Sequence, residues 1–509
     1  MPGVPTRPVA PGSASAPPGV DAAGGRLLPV FPGAAGVWLA GVGLALLLGL
    51  LASTARNWAA LVATIAVLAV GALFARVLGP RPGLVVLLIV TATIDRFTFP
   101  VGSLSLRAEQ IAALAALLVL MVAAFRERRW GWLKPNLAEA FLLAWLVCNV
   151  VSSLLASPDR RLSAKILAVI AISSLGLFLP RRLLFARGAI GDLETIVHWL
   201  LVVFATEAGY STAVYLLHAF GPTVGLGINP ASGYLSAYGT LWEQNVLGAL
   251  SAAGLVAWTY LGPRRFRSAW VGAAACIGGS AASVTRAAWL AAVVVGSLAL
   301  LIPGNRRRLD LRALAKSAAG GLVVIAVTLV AVGVGSYNHP LAPAAGSGTP
   351  GGSNEGFLVA ILNRVDLLGR FNQVSQVWDD IRDHLILGRG TAAFEALHQF
   401  KSVPEHLASL PLNVLDGTGL AGVALFTAFA AAVFVRAWSR RGDDLVHALG
   451  QVCLVIAFTN ISTETLELMI GWLLIGMLLL AIDRAGAPGI SNPVGRGDPA
   501  PPEAPARRG

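Results

Sequence analysis

Apolar runs of about 17 to 25 residues recur from residue 36 to residue 482, and that is the length a helix needs to cross roughly 30 Å of hydrocarbon. Lipid offers the backbone no hydrogen-bond partners, so a spanning segment must satisfy its own N–H and C=O groups. Runs that do not alternate between polar and apolar residues do so as helices and not as barrel strands. Composition agrees, because 56% hydrophobic and 13% charged residues, with a mean hydropathy of +0.72, leave this 509-residue chain without the polar surface of a water-soluble domain. The expected fold is all-α: a polytopic transmembrane bundle of about 12 to 14 helices.

The expected spans are 36–52, 58–78, 82–94, 108–125, 137–156, 162–179, 193–220, 243–261, 268–282, 287–302, 317–335, 412–435, 445–458 and 466–482. Those at 82–94, 268–282 and 445–458 are short and leave room for re-entrant pieces. Cytoplasmic loops retain Lys and Arg. With the N-terminus inside, the clusters at Arg126, Arg181, Arg264 and Arg306 all fall on the inner side, and both termini are cytoplasmic. The net charge of +12 then reports orientation and contact with anionic lipid rather than nucleic acid. Cys148, Cys276 and Cys453 all lie inside expected spans and read as small core residues, so no disulfide framework is expected.

Residues 1–35 and 483–509, rich in Pro and Gly, read as disordered cytoplasmic tails around two helical blocks, 36–335 and 412–482. Between these blocks lies one large extracytoplasmic loop, 336–411. It opens with "APAAGSGTPGGSNEG" and continues into a helical pattern, with apolar residues at Phe371, Val374, Val377, Trp378, Ile381 and Leu385. This predicts an amphipathic helix that lies on the bilayer surface or caps the bundle. A second outer loop, 221–244, carries almost no charge but several aromatic rings, which suit headgroup anchoring or sugar stacking.

Several residues stand apart from this pattern. Arg286, in "SVTRAAW", sits at the outer edge of the core, where a cation is costly unless paired or hydrated. Arg160, Arg161 and Lys165 in "SPDRRLSAK", and Arg370 in "LGRFNQV", are further outer-side cations. Gathered around one cavity they suit a diphosphate, because a guanidinium fork matches paired phosphate oxygens. Glu243, Asp416, Glu464 and Glu467 border or enter spans, and no acidic pair has metal-ligand spacing. The seven histidines are scattered singly, with His339, His384, His398 and His406 in the large loop, so no metal and no cofactor is expected. The "GRG" of Gly388, Arg389 and Gly390 is too short to be a phosphate loop by itself.

Four stretches together resemble the O-antigen ligase and polymerase superfamily, GT-C-type membrane glycosyltransferases that use polyprenyl-diphosphate-linked glycans. These are "GTLWEQNVLG" from Gly239, "SVTRAAWLA" around Arg286, "RFNQVSQVWDDIRDHLILGRGTAAF" from Arg370, and "PEHLASLPLNVLDGTGLAG" from Pro404. The family commonly has about twelve crossings, so the extra N-terminal apolar segments are a departure. The family's histidine falls on Ala408 and its following polar residue on Ser409, while His406 lies two residues earlier. Either His406 substitutes through a shift of the loop, or transfer proceeds without that histidine.

The resemblance implies glycan transfer from a polyprenyl diphosphate to an acceptor hydroxyl on the outer face of the cytoplasmic membrane, by a ligase or a polymerase. The implied partners are the lipid-linked donor, a glycan or lipid-glycan acceptor and membrane lipid. It implies catalytic roles for Arg286 and Arg370, with Asn245 and Ser409 at further motif positions as substrate-binding candidates; the chemistry of the residues adds His406 as the catalytic base and Arg160, Arg161, Arg389 and Glu405 as substrate-binding candidates. Two other classes fit many crossings with cavity cations: a flippase for lipid-linked sugar, or a catalytically silent scaffold for glycan assembly.

Overall fold

The computed structural model describes residues 69–94, 98–101, 104–127, 134–185, 190–218, 227–229, 236–241, 243–301, 311–338, 367–400, 403–404, 406–407 and 409–486. The expected N-terminal tail, the first span, most of the second and the Gly- and Pro-rich start of the large loop lie outside them, as does the expected C-terminal tail beyond Gly486, whose first four residues instead continue the last helix.

Helices dominate. In chain order they are α1 (Ala69–Leu78), α2 (Pro80–Ala92), α3 (Ala108–Glu127), α4 (Leu137–Ala156), α5 (Arg160–Phe185), α6 (Ile190–Leu217), α7 (Gln244–Leu261) and α8 (Ala269–Ala282). There follow α9 (Arg286–Leu301), α10 (Leu311–Asn338), α11 (Leu367–Ile381), α12 (Ala393–Leu397), α13 (Leu410–Ser439), α14 (Asp444–Thr459) and α15 (Met469–Gly486). Three antiparallel ribbons of two strands each sit in the connections: β1 (Thr98–Val101) with β2 (Leu104–Arg107), β3 (Ile228–Asn229) with β4 (Ser236–Ala237), and β5 (Gln399–Phe400) with β6 (Val403–Pro404).

Among the described residues six helices, α3, α4, α5, α6, α13 and α15, are long and apolar enough to cross a membrane. Shorter apolar helices include α2, α8 and α14, the segments whose runs are short in the sequence. Large apolar side chains such as Leu118, Phe125, Val147, Leu155, Leu290 and Leu322 face outward. In water that surface would be an aggregation hazard; against lipid it is the expected exterior of a membrane protein.

The C-terminal helices pack against earlier ones: α13 on α4, α15 on α5, and α14 on α7 and α9. Ion pairs sort the connections into two ends. At one end Arg182 donates from Nη1 and Nη2 to the two oxygens of the fully buried Glu139, at 2.7 and 3.0 Å. Arg181 bridges Glu139 and Asp483, and Asp483 also accepts from Arg436. Glu139 has a second task, since it forms the capping box that starts α4 with Asn136. Arg264–Asp444, Arg265–Glu194 and Arg484–Glu194 join the same set of loops. Arg107–Glu467, Arg389–Asp380, His398–Asp380 and His406–Glu395 lie among the others. Each of these pairs therefore links segments that the charge pattern of the sequence assigns to one side.

The amphipathic stretch forms α11, which rests on α13. Val377 and Ile381 are buried in a small satellite core with Phe394 and Leu407, whereas Val374 and Trp378 stay exposed. Its apolar stripe is thus divided between capping the bundle and facing outward.

Candidate functional site

The site begins at a break in α13. Gly419, at φ 59° and ψ −162°, interrupts the helix and frees the amides that follow. A free amide inside a membrane span needs a partner. Leu420 N–H donates to the Leu385 carbonyl at 2.9 Å and Ala421 N–H to that of Ile386 at 3.0 Å. The loop in turn donates from Arg389 N–H to the Asp416 carbonyl (2.8 Å) and from Gly390 N–H to that of Gly417 (3.0 Å). Such close approach excludes a side chain at Gly388, where a Cβ would lie 2.5 Å from both Asp416 O and Gly419 N, at a left-handed φ of 69°. The "GRG" is therefore a docking loop whose Arg389 and Gly390 amides are spent on α13.

Thr391 fixes this loop to α4 and α5. Its N–H donates to Ser153 Oγ (3.1 Å) and its hydroxyl to Asn149 Oδ1 (3.0 Å), while its carbonyl accepts from Ser163 Oγ (2.5 Å). Ser152 Oγ donates to the Gly417 carbonyl (2.8 Å). Asp416 is buried, and its Oδ2 accepts the Phe394 N–H that opens α12 (3.1 Å).

α12 presents Glu395. Its Oε1 lies 3.5 Å from Nδ1 of His406, whose side chain is 79% exposed against 14% for Glu395. Gln373 of α11 donates to the His406 carbonyl (3.2 Å), and Leu410 N–H, at the start of α13, reaches the carbonyls of Asn460 and Thr463. The α14–α15 connection thereby brings Glu464 and Glu467 into the field of His406. The bond to Glu395 holds the imidazole pKa above its ordinary value against partial burial, and Glu467 and Glu464 act in the same direction. Burial, with Glu467 nearby, pushes the Glu464 carboxyl up to about 8. Arg107, at the end of β2, donates to the Glu467 carbonyl (3.0 Å) and pairs with its carboxylate (3.5 Å).

The other two motif segments meet one another and this cluster. Thr285 Oγ1 donates to the Gln244 carbonyl (3.0 Å), which ties the turn before α9 to the start of α7. That turn is strained: Val284, a β-branched residue, sits at φ 56°. Asn245 is bonded to Glu243, a carboxyl that burial pushes up and on which the charge of His406 acts in the opposite direction. The preceding Thr240 donates from its N–H and its hydroxyl to the two oxygens of the buried Glu207 on α6, at 2.9 and 2.6 Å.

Arg286 is thus the first residue of α9, half-buried, one residue beyond the Thr285 contact. Arg370 lies on α11, and its side chain is outside the described residues, as are Glu405 and Ala408. Arg389 is held by Asp380 (3.3 Å), which also pairs with His398 (2.6 Å). Arg160 and Arg161 are exposed at the start of α5, next to Asp159. Ser409 is the residue before α13 and makes no side-chain cap.

Sequence reasoning missed Glu395, Arg107, Glu207 and Asp380 as site neighbours. Of these only Arg107 carries a local signal, as a cation on the side where the chain otherwise loses them. Among the described residues no group of three His, Cys, Asp or Glu side chains is placed to hold a metal ion. No family model matches the chain, and a search of curated proteins finds no match.

Proposed function

We propose that this chain is a polytopic glycosyltransferase of the cytoplasmic membrane, GT-C-like in architecture, with its termini in the cytoplasm and its site on the extracytoplasmic face. It moves a glycan from a polyprenyl-diphosphate carrier to an acceptor hydroxyl, as a polysaccharide ligase or polymerase. The observation that carries this reading is convergence. The segment around Asn245, that around Arg286 and the Arg389–His406 stretch are separate in sequence, yet hydrogen bonds and charge link Gln244 to Thr285, Glu243 to His406, and the Arg389 loop to the helix that follows His406.

In the proposed reaction the acceptor oxygen attacks the anomeric carbon as the bond from that carbon to the diphosphate oxygen breaks. The bonding pair leaves with the diphosphate, and the acceptor proton passes to His406. Glu395, at Nδ1, orients the ring so that Nε2 meets the acceptor. Glu395 occupies the His406 side, and its charge disfavours a diphosphate at that point. The acceptor is therefore assigned to the His406 side and the diphosphate to the cations Arg286 and Arg370, with Arg160, Arg161 and Arg389 as further candidates.

Reconstitution with a synthetic polyprenyl-diphosphate glycan and candidate acceptors, without nucleotide, tests this. Wild-type protein is expected to form glycosylated product, and Arg286→Ala, Arg370→Ala and His406→Ala each to lose it by about 100-fold or more. Movement of intact lipid-linked sugar between leaflets with no product would identify a flippase instead. Product chain lengths separate polymerase from ligase.

A further inference from the structure

A groove of about 1000 Å³ runs between α13 and α14 over a floor formed by α15. Its walls are mainly apolar, with Phe426, Phe429, Phe434, Leu454 and Leu474 beside the polar His447 and Gln451 of α14. α14 alone is about 24 Å long at 1.5 Å per residue, so the groove runs most of the depth of a bilayer core. One end is bordered by Leu410 and Asn460, the other by Trp438, Arg441 and Gly442. Gly450, midway along α14, borders open space: a Cβ there would meet no atom within 4 Å.

The two ends differ in charge. Beyond Leu410 and Asn460 lie Thr463, Glu464 and Glu467, in the acidic surroundings of His406. At the opposite end Arg436, Arg440, Arg441, Arg264, Arg265 and Arg484 outnumber the carboxylates Asp443, Asp444, Asp483 and Glu194. Arg440 and Arg441 are exposed, and the Arg441 guanidinium lies 4.6 Å from the centroid of the Trp438 ring. Trp438 stacks on Phe434, and both rings are more than half exposed. An aromatic pair beside arginines at the mouth of an apolar groove is the arrangement that receives a lipid at headgroup depth.

We infer that this groove binds an anionic phospholipid from the leaflet at the Arg440 and Arg441 end. The acyl chains lie along α14 past Gly450 and the phosphate meets the two arginines. Charge selects this occupant, because the exposed Arg440 and Arg441 lie at the mouth where Trp438 and Phe434 mark headgroup depth, whereas at the Leu410 mouth the cation Arg107 is paired with Glu467. The inference does not rest on the glycosyltransferase reading.

Native mass spectrometry of the full-length protein, titrated with phosphatidylglycerol and phosphatidylcholine of matched chains, tests it. Two arginines near a headgroup, at about 1 kcal/mol each, give phosphatidylglycerol a preference of about thirtyfold. Arg440→Ala combined with Arg441→Ala is expected to erase that preference. Gly450→Phe narrows the groove and is expected to weaken both lipids about tenfold or more, while Gly450→Ala, whose Cβ meets no atom within 4 Å, leaves binding in place. Equal affinity for the two lipids in the wild type, or full binding by Gly450→Phe, would overturn the proposal. Displacement of phosphatidylglycerol by a polyisoprenyl phosphate that the double arginine variant retains would overturn it too, and would give the groove to the carrier.

Discussion

Oε1 of Glu395 lies 3.5 Å from Nδ1 of His406, and so a short helix after the docking loop is joined to the segment that enters α13. The carboxylate is mostly covered while the imidazole is open to its surroundings, which is how an orienting acid and a working base are usually divided. The neutral imidazole needed to accept a proton appears only above the raised pKa. Glu395→Gln removes the negative charge and lowers that pKa toward its ordinary value. The rising limb of the pH–rate profile should therefore move to lower pH, while the maximal rate falls as the ring loses its orientation. An unchanged limb would contradict the dyad.

Replacing Gly388 by alanine tests the junction between the docking loop and the break in α13. A Cβ 2.5 Å from two backbone atoms cannot be relieved by a rotamer change, and the left-handed φ adds strain. We expect a loss of about 2 to 4 kcal/mol, read as a lower midpoint of thermal unfolding in detergent. Gly442→Ala, where nothing lies within 4 Å, should leave the midpoint in place.

Glu139 holds two arginines with no exposure of its own. Glu139→Gln leaves Arg182 buried beside a neutral amide, and breaking a buried pair in this way costs about 3 to 5 kcal/mol. The double change with Arg182→Met should cost less than the sum of the single changes, because no uncompensated cation remains. Thermal unfolding of the four proteins measures the coupling.

Glu464 gives a pH dependence of the opposite kind. A carboxyl whose folded-state pKa is raised favours the folded state in its neutral form, so its ionisation opposes folding as pH rises from its unfolded value near 4.5 to about 8. Glu464→Gln should therefore raise the unfolding midpoint at pH 9 and leave it unchanged near pH 4. Equal shifts at both pH values would show that the effect is not electrostatic.

The helices were legible because lipid imposes a length and an apolar content that a run of residues displays directly. The expected 137–156 and 268–282 reappear as Leu137–Ala156 and Ala269–Ala282. The break in α13 was not, because Gly419 lies inside a run that reads as continuous helix, and only the carbonyls of Leu385 and Ile386 make a gap there tolerable. The same holds for the site. Arg286 and His406 stand out in their own segments, but Arg107 and Glu467 are 360 residues apart and Glu395 is an ordinary acid in a short helix. Their proximity is a property of packing that no local pattern encodes.

The central claim is that a cation-lined site on one face of the membrane releases polyprenyl diphosphate as the glycan leaves. Its most direct measurement is the appearance of free polyprenyl diphosphate from a lipid-linked glycan in proteoliposomes, with acceptor present, for wild type and Arg286→Ala. The account predicts release that depends on acceptor in the wild type and falls at least about 100-fold in the variant. Release that is absent in the wild type, or equal in the two proteins, would contradict it.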